Sequence, residues 1–268
     1  MPVYGAAISN ATDPGPMFDG YILCGTPRTG STLLCDMLAS TGKAGRPNSF
    51  FRPQSLANWS ARWGLPLPEA AAGLPLNAAY LQAAIAHGTA GTGMFGLRLM
   101  RENLAALEIT LDRLYPGQTS DLARLAAAFG RLLFVHLSRA DTLAQAISLT
   151  KAEQTGLWHR AADGSDYERL GAPGAPVYDF ARLHARRLAL EADDAAWRGW
   201  FGAEGITPFS VTYEGLAADP AGTVIGLCRA LGVPPPDRKA LKPAVAKIAD
   251  QTSLAWAQRY RLDLCAER

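Results

Sequence analysis

The stretch Tyr21-Ile-Leu-Cys-Gly25-Thr-Pro-Arg28-Thr-Gly30-Ser31-Thr-Leu-Leu decides the fold. Its apolar start, residues 21–24, predicts a strand that ends at Gly25. Apolar residues at helical spacing over residues 31–39 predict a helix directly after the turn. The two glycines match the Gly-x-x-x-x-Gly template of a phosphate-binding loop, which also lies between a strand and a helix.

The residue after Gly30 departs from that template. Nucleoside triphosphatases carry a lysine there for the β- and γ-phosphates, whereas this chain has Ser31. The backbone N–H groups at the helix start remain, and Arg28 supplies a planar fork of donors suited to tetrahedral oxyanions. The loop therefore predicts a phosphate or sulfate site, with a simple tight turn as the alternative.

A second basic residue follows another predicted strand. Arg139 comes just after residues 132–137, and Gln145 and Ser148 share one face of the helix that Asp141 is placed to cap. Ligands of open parallel sheets bind at the carboxyl ends of the strands, so Arg139 and the glycine-rich loop could face one nucleotide. A surface arginine paired with Asp141 is the alternative.

Strands alternate with helices along the rest of the chain. This order predicts an α/β fold, a phosphate-loop-type parallel sheet flanked by helices on both faces. We expect one domain over residues 19–268 with irregular and helical insertions, preceded by a flexible or partner-held arm over residues 1–18. The further predicted strands are 94–100 and 208–213; the further helices are 102–115, 141–158, 177–201, 221–231 and 252–261; residues 45–68 are predicted to be irregular.

Composition excludes several classes of protein. The net charge of +2, from 26 basic and 24 acidic residues, lacks the excess of a nucleic-acid or membrane-surface binder. No run reaches the ~18 apolar residues of a membrane span, and no secretory signal is recognised. Cys24, Cys35, Cys228 and Cys265 form no CxxC pair, so we expect reduced core thiols, a cytoplasmic location and no metal.

Several motifs, in order from about residue 21 to 263, resemble the bacterial trehalose 2-sulfotransferase family. They are Thr26-Pro-Arg-Thr-Gly-Ser-Thr-Leu-Leu, Gly96-Leu-Arg-Leu-Met100, Ser138-Arg-Ala-Asp-Thr-Leu-Ala-Gln-Ala-Ile-Ser148, Gln154-Thr, Trp197-Arg-Gly-Trp-Phe201, Val211-Thr-Tyr-Glu214 and Ala249-Asp-Gln-Thr-Ser-Leu-Ala-Trp-Ala-Gln-Arg-Tyr-Arg261.

The resemblance implies an enzyme that moves a sulfuryl group from 3′-phosphoadenosine 5′-phosphosulfate to a hydroxyl of a carbohydrate, a glycolipid or a similar acceptor. It implies that the loop holds the 5′-phosphosulfate, that Arg139 and Ser148 hold the 3′-phosphate, and that a segment from Gln251 to Arg261 closes over the nucleotide. It also implies a homodimer. The loop residues concerned are Thr26, Arg28, Thr29, Gly30, Ser31 and Thr32.

One segment departs from the family. A Gly-Glu-Pro-Gln-Glu-Phe-Phe sequence, whose second glutamate is thought to activate the sugar hydroxyl, is replaced by Gly45-Arg46-Pro47-Asn48-Ser49-Phe50-Phe51. A serine hydroxyl cannot accept a proton near neutral pH, so the base lies elsewhere or contributes little. The changed charge also puts trehalose itself in doubt as the acceptor.

The sequence offers few replacements for that base. Glu102 follows the second strand on the expected ligand side, although a carboxylate in the first turn of a helix is the commoner reading. We expect His136 inside a buried strand, His184 on an apolar helix stripe and His159 as a helix C-terminal cap. Arg98 replaces a family lysine and could steady a bridging oxygen or the acceptor, or form a structural ion pair.

Two other functions stay open at this point. A small-molecule kinase would require ATP and magnesium, which the missing loop lysine disfavours. A catalytically silent nucleotide-binding protein would follow if nothing replaces the lost glutamate. Trp59, Trp63 and Trp158 could stack on a sugar, but core or dimer contacts suit them equally.

Overall fold

A computed structural model describes residues 17–66, 77–161, 163–243, 245–246 and 250–266. The expected arm therefore lies outside the described residues, apart from its last two. The strands are β1 (Gly20–Gly25), β2 (Phe95–Met100), β3 (Leu132–Ser138), β4 (Leu157–Ala161), β5 (Asp166–Arg169), β6 (Phe209–Thr212) and β7 (Val245–Ala246). The helices are α1 (Ser31–Ser40), α2 (Leu56–Trp63), α3 (Ala78–Thr89), α4 (Leu104–Leu114), α5 (Asp121–Phe129), α6 (Thr142–Thr155), α7 (Phe180–Ala203), α8 (Tyr213–Ala218), α9 (Pro220–Leu231) and α10 (Gln251–Ala266).

The central sheet has four strands in the order β2-β1-β3-β6, and every pair in it is parallel. Gly25, the last residue of β1, is level with Met100 on β2 and Leu137 on β3. The loops after these three strands therefore open onto the same edge of the sheet. This is the parallel sheet that the sequence predicted.

Helices cover both faces of this sheet, because the side chains of β1 alternate between two cores. Ile22 and Cys24 pack in a cluster that includes residues of α3, α4, α5 and α7. Tyr21 and Leu23 point the other way, into a cluster built with α1 and α9. The prediction of an α/β sheet flanked by helices on both faces is confirmed.

Two boundaries predicted from the sequence were wrong. The described part of the segment 45–68 is not wholly irregular, since it contains a short 3-10 turn and α2. Helix α6 ends at Thr155 rather than near Trp158, because Gly156 has a φ of 68°. A side chain at position 156 would also meet the Leu170 carbonyl oxygen at 2.5 Å.

A second, smaller sheet was missed altogether. Strands β5, β4 and β7 pair antiparallel in that order, and β4 begins directly after Gly156. Strands β4 and β5 are five and four residues long. Segments this short give little periodic signal.

The four cysteines are free thiols, and three of them are buried. Cys265 is exposed near the end of α10, so the expectation of a core position was wrong for that residue. Among the described residues, no helix is both long enough and apolar enough to cross a bilayer.

Candidate functional site

A cavity of about 740 Å³ opens at the carboxyl ends of β1 and β3. The loop after β1, the start of α1, one side of α6, strands β4 and β5 and helix α10 all contribute to its wall. Ligands of open parallel sheets bind at this edge. The cavity therefore lies where the sequence predicts a nucleotide site.

The glycine-rich loop is held from behind by buried hydrogen bonds. Trp197 on α7 donates from Nε1 to the Gly25 carbonyl at 2.9 Å. Gln145 on α6 donates from Nε2 to Thr26 Oγ1 at 2.8 Å and to the Pro27 carbonyl at 2.7 Å. Thr29 closes the turn by donating to the Thr26 carbonyl at 2.9 Å. Thr26 and Thr29 thus shape the loop and do not line the cavity.

Helix α1 begins at the cavity without a side-chain cap among the described residues. Its N-cap residue, Gly30, has a φ of 81°, which favours glycine. A Cβ there would also lie 3.1 Å from the Tyr213 ring. The first backbone N–H groups of a helix lack intrahelical partners and carry the positive end of its dipole. Ser31 and Thr32 lie at this end and line the cavity, so an anion could bind here.

Arg28 crosses the cavity from the loop to the opposite wall. Its Nε donates to Ser148 Oγ on α6 at 3.0 Å, and its Nη1 donates to the Trp158 carbonyl on β4 at 2.6 Å. Its backbone φ is 69°, a value that costs an L-residue about 1–2 kcal/mol. Burial and the neighbouring Arg139 lower its pKa to about 10, so the guanidinium stays charged at neutral pH.

Arg139 lies directly behind Arg28. Its Nη1 donates to the Arg28 carbonyl at 3.1 Å, and its guanidinium stacks 4.2 Å from the centre of the Tyr213 ring. Its Nε is buried and has no hydrogen-bond partner within the described part of the chain. Burial lowers its pKa below the usual arginine value. Asp141 instead caps α6 by accepting from the Ala144 N–H at 2.8 Å.

Arg98 links the loop to the segment that departs from the family. Its Nε donates to Ser49 Oγ at 2.8 Å, and its Nη1 donates to Thr32 Oγ1 at 2.9 Å. Ser49 is 6% exposed. The segment around Ser49 is held beside β2, since Arg98 N donates to the Asn48 carbonyl at 3.1 Å. The side chain of Arg98 thus donates to two hydroxyls.

His159 lies on β4, so its expected position as a helix cap was wrong. Its Nε2 is 2.9 Å from Thr32 Oγ1 and 3.4 Å from Glu168 Oε2 on β5. Burial and the charges of Arg28 and Arg98 lower its pKa to about 3. The imidazole is therefore neutral at pH 7, and its contact with Glu168 is not an ion pair there.

The remaining candidates lie farther from the loop. Glu102 is an exposed carboxylate at the cavity wall. His136 contacts Asp194 at 2.9 Å, and His184 contacts the Tyr260 hydroxyl at 2.6 Å, so both are satisfied structural residues. Trp59 and Trp63 stack on each other, 5.2 Å apart, and pack against the core rather than the cavity.

Helix α10 forms the outer wall of the cavity. Lys151 on α6 is buried and donates to Asp250 Oδ1 at 2.5 Å and to Ser253 Oγ at 3.0 Å, which joins α10 to α6. Arg261 lines the cavity, whereas Gln251 is not among its lining residues. Lys151 was missed from the sequence, although its position one turn after Ser148 on the same helix pointed to the same wall.

Within the described residues, no group of three or more His, Cys, Asp or Glu side chains could hold a metal ion. The polar groups of the cavity are mostly cationic or hydroxyl-bearing donors, which suit an anion. The arrangement can therefore bind a phosphorylated or sulfated ligand through Arg28, Arg139 and the start of α1.

Known proteins to which this chain is similar are sulfotransferases. A family model described as Stf0 sulphotransferase matches residues 20–263. Trehalose 2-sulfotransferase of Mycobacterium tuberculosis (strain ATCC 35801 / TMC 107 / Erdman) is 29% identical to the chain over 266 residues, covering 91% of it and 94% of the relative. Trehalose 2-sulfotransferase of Mycolicibacterium smegmatis (strain ATCC 700084 / mc(2)155) is 29% identical over 267 residues, with the same coverage. The solved sulfotransferase domain from the Synechococcus PCC 7002 olefin synthase is 16% identical, with a TM-score of 0.44, covering 90% of this chain and 86% of that one.

Proposed function

The chain belongs to the Stf0 sulphotransferase family, and from this premise we propose that it transfers a sulfuryl group from 3′-phosphoadenosine 5′-phosphosulfate to a hydroxyl of a carbohydrate or glycolipid acceptor. The observation that carries the proposal is the pair Arg28 and Arg139, which meet at the start of α1 in one cavity. Ser31 stands where a triphosphatase carries its lysine.

We assign the two anionic ends of the donor to the two sides of this pair. The 5′-phosphosulfate would bind the N–H groups at the start of α1, with Arg28 and the hydroxyls of Ser31 and Thr32 around it. The 3′-phosphate would bind Arg139 and Ser148. The buried Nε of Arg139 supports this assignment, because it has no partner among the described residues and a charged acceptor would satisfy it. Arg261 on α10 would contact the nucleotide from the outer wall.

Transfer breaks the bond between sulfur and the bridging phosphate oxygen and forms a bond from sulfur to the acceptor oxygen. By analogy with phosphoryl transfer, the transition state is loose, and charge grows on the departing phosphate. Arg28 is fixed at two of its nitrogens, so its charge needs little reorganisation as that change occurs. We place Arg98 next to the transferred group, since it contacts Thr32 at the start of α1.

The acceptor is proposed to be a sugar hydroxyl because the two curated relatives are named for trehalose. The family resemblance implies that Ser49, which lines the cavity, replaces a glutamate, so we infer that the acceptor pocket has one carboxylate fewer. We infer that the sugar differs from trehalose or is bound differently. We also propose a cytoplasmic location, which the free thiols support. A homodimer is proposed from the family resemblance.

Nucleotide binding tests the donor assignment. Adenosine 3′,5′-bisphosphate at ~100 times its dissociation constant should stabilise the fold by about 2.7 kcal/mol, and the rise in Tm should exceed that with ATP and magnesium. Adenosine 5′-phosphosulfate, which lacks the 3′-phosphate, is the matched control and should give a smaller rise. Equal or larger stabilisation by ATP with magnesium would contradict the proposal.

A further inference from the structure

A neutral histidine lies beside the start of α1, at the corner of the cavity where the family carboxylate is missing. His159, Thr32, Arg98 and Ser49 form a chain of hydrogen bonds, the Thr32 cluster. Thr32 Oγ1 lies 2.9 Å both from Arg98 Nη1 and from His159 Nε2. Resting on the proposed sulfuryl transfer, we propose that His159 accepts the proton of the acceptor hydroxyl, in place of the glutamate that Ser49 replaces.

The hydrogen bonds of the Thr32 cluster allow an imidazole that accepts at Nε2. A guanidinium only donates, so Arg98 occupies a lone pair of Thr32 Oγ1. The single hydroxyl proton of Thr32 is then free to point at His159 Nε2. In the tautomer that we assign, Nε2 accepts this proton and the ring proton lies on Nδ1. The basic nitrogen is then the one that contacts Thr32 at the start of α1.

Binding of the donor would release this lone pair. A sulfuryl or phosphate oxygen at the start of α1 is a charged acceptor, which gives Thr32 a stronger hydrogen bond than a neutral imidazole does. Once the Thr32 proton turns to the donor, His159 Nε2 faces a position next to the transferred group. An acceptor hydroxyl bound there can donate to Nε2 while its oxygen approaches sulfur.

The charges around His159 would change in the same step. Arg28, Arg98 and Glu168 are the charged groups that act on it directly. Behind them Asp36 on α1 accepts from the Tyr167 hydroxyl on β5 and interacts with Arg98 and Glu168. Burial first, and then the charges of Arg28 and Arg98, hold the pKa of His159 at about 3. Donor oxyanions would offset the part of this shift that the arginines cause, so the imidazole is a stronger base in the complex than in the free protein.

The proton balance of the step is complete. The acceptor oxygen bonds to sulfur, the bond from sulfur to the phosphate oxygen breaks with its electron pair on the phosphate, and the hydroxyl proton passes to His159 Nε2. The carboxylate of Glu168, 3.4 Å from the same nitrogen, would stabilise the imidazolium until water removes the proton. Glu168 is a positioning residue in this account, since it acts through His159.

Glu102 is the competing proton acceptor. Its carboxylate lines the same cavity but is exposed, and no hydrogen bond ties it to the start of α1 within the described residues. His159 is half-buried and contacts that start directly. The geometry therefore favours His159.

The test compares His159→Gln with Glu102→Gln. Glutamine keeps a hydrogen bond to Thr32 but cannot accept a proton, so we expect transfer to fall about a hundredfold, within the ~10²–10⁴ range of general base catalysis. The dissociation constant for adenosine 3′,5′-bisphosphate should stay within about threefold of wild type, because the lost function is proton transfer and not nucleotide binding. The transfer rate of Glu102→Gln should fall less than about fivefold, well short of that range. His87→Gln, a histidine outside the cavity, is the matched control.

Two further measurements test the proposal even if the His159→Gln substitution disturbs β4. Nuclear magnetic resonance titration of wild type should show the pKa of His159 rising by about one unit or more when the bisphosphate binds. Glu168→Gln should move the acidic limb of the rate profile to lower pH, because loss of the carboxylate makes the imidazole less basic. The shift of the acidic limb separates a base from a purely structural histidine, which would leave that limb in place.

The outcomes separate this inference from the proposed function. Wild-type protein that transfers no sulfuryl group from the donor to any sugar acceptor overturns the proposed function, and this inference with it. An active wild type whose His159→Gln variant keeps its rate, or loses nucleotide affinity in proportion to rate, overturns only the role of His159. A hundredfold loss in Glu102→Gln alone assigns the proton to Glu102 instead.

Discussion

Arg28 Nε donates a 3.0 Å hydrogen bond to Ser148 Oγ, across 120 positions of the sequence. Arg28 belongs to the loop after β1, and Ser148 belongs to α6. This contact joins the two anion positions that the sequence suggested separately. A nucleotide with phosphate at both its 3′ and 5′ ends would meet one continuous basic surface.

Arg28→Ala is expected to lower transfer by about 10²–10³, as loss of one preorganised donor typically does. The dissociation constant for adenosine 3′,5′-bisphosphate should rise much less, because the N–H groups of α1 and Arg139 remain. Single-turnover transfer and isothermal titration calorimetry measure the two effects. Arg28→Lys keeps the positive charge but loses the planar set of guanidinium donors. Its transfer rate should lie between those of wild type and Arg28→Ala.

Arg139→Ala is expected to show the opposite pattern. It should mainly raise the dissociation constant of the donor, with a smaller effect on the rate at saturation, since Arg139 is assigned to the 3′-phosphate. Adenosine 5′-phosphosulfate should bind wild type and variant about equally. If Arg139→Ala lost rate and Arg28→Ala lost affinity, the two ends of the nucleotide would be assigned backwards.

Ser49→Ala should keep transfer within about tenfold of wild type, below the ~10²–10⁴ that a positioned base supplies. The Ser49 hydroxyl accepts a hydrogen bond from Arg98, which keeps a second partner in Thr32. The pH profile of kcat should keep its shape. A folded variant that binds nucleotide and transfers nothing would mean that this position still carries an essential role.

Trp197→Phe should destabilise the protein because it leaves the Gly25 carbonyl without the 2.9 Å hydrogen bond that Trp197 donates in the core. An unsatisfied buried acceptor costs about 1–3 kcal/mol. Trp200→Phe is the matched control, since Trp200 is only partly buried and donates to Asp121 at 3.1 Å. Urea unfolding should show the larger loss for Trp197→Phe; equal losses would mean that the bond to Gly25 adds nothing.

Local sequence was enough to predict the framework of the site. Three contiguous elements make up this framework: β1, the loop at Arg28 and the start of α1. The positions of Gly25 and Gly30 were enough to predict where the strand ends and where the helix begins. Asp141 likewise predicted the start of α6, because a short acceptor side chain satisfies the free N–H groups there.

Contacts between distant segments could not be predicted in this way. His159 reaches Thr32 only because β4 folds back along the cavity, whereas the sequence predicts the end of a helix there. Gly156 was the overlooked signal, since a glycine after the last periodic residue is typical of a helix end. No local pattern in the sequence pairs Arg98 with Ser49, which lies 49 positions away.

Transfer of a labelled sulfuryl group tests the central claim most directly. The protein would be incubated with 3′-phosphoadenosine 5′-phosphosulfate carrying radioactive sulfur and with trehalose and other sugars and glycolipids, and the products would be identified by mass spectrometry. We predict label on an acceptor hydroxyl, with one adenosine 3′,5′-bisphosphate released for each label transferred. Label that stays on the nucleotide with every acceptor, together with phosphate transfer from ATP to the same acceptors, would contradict the account.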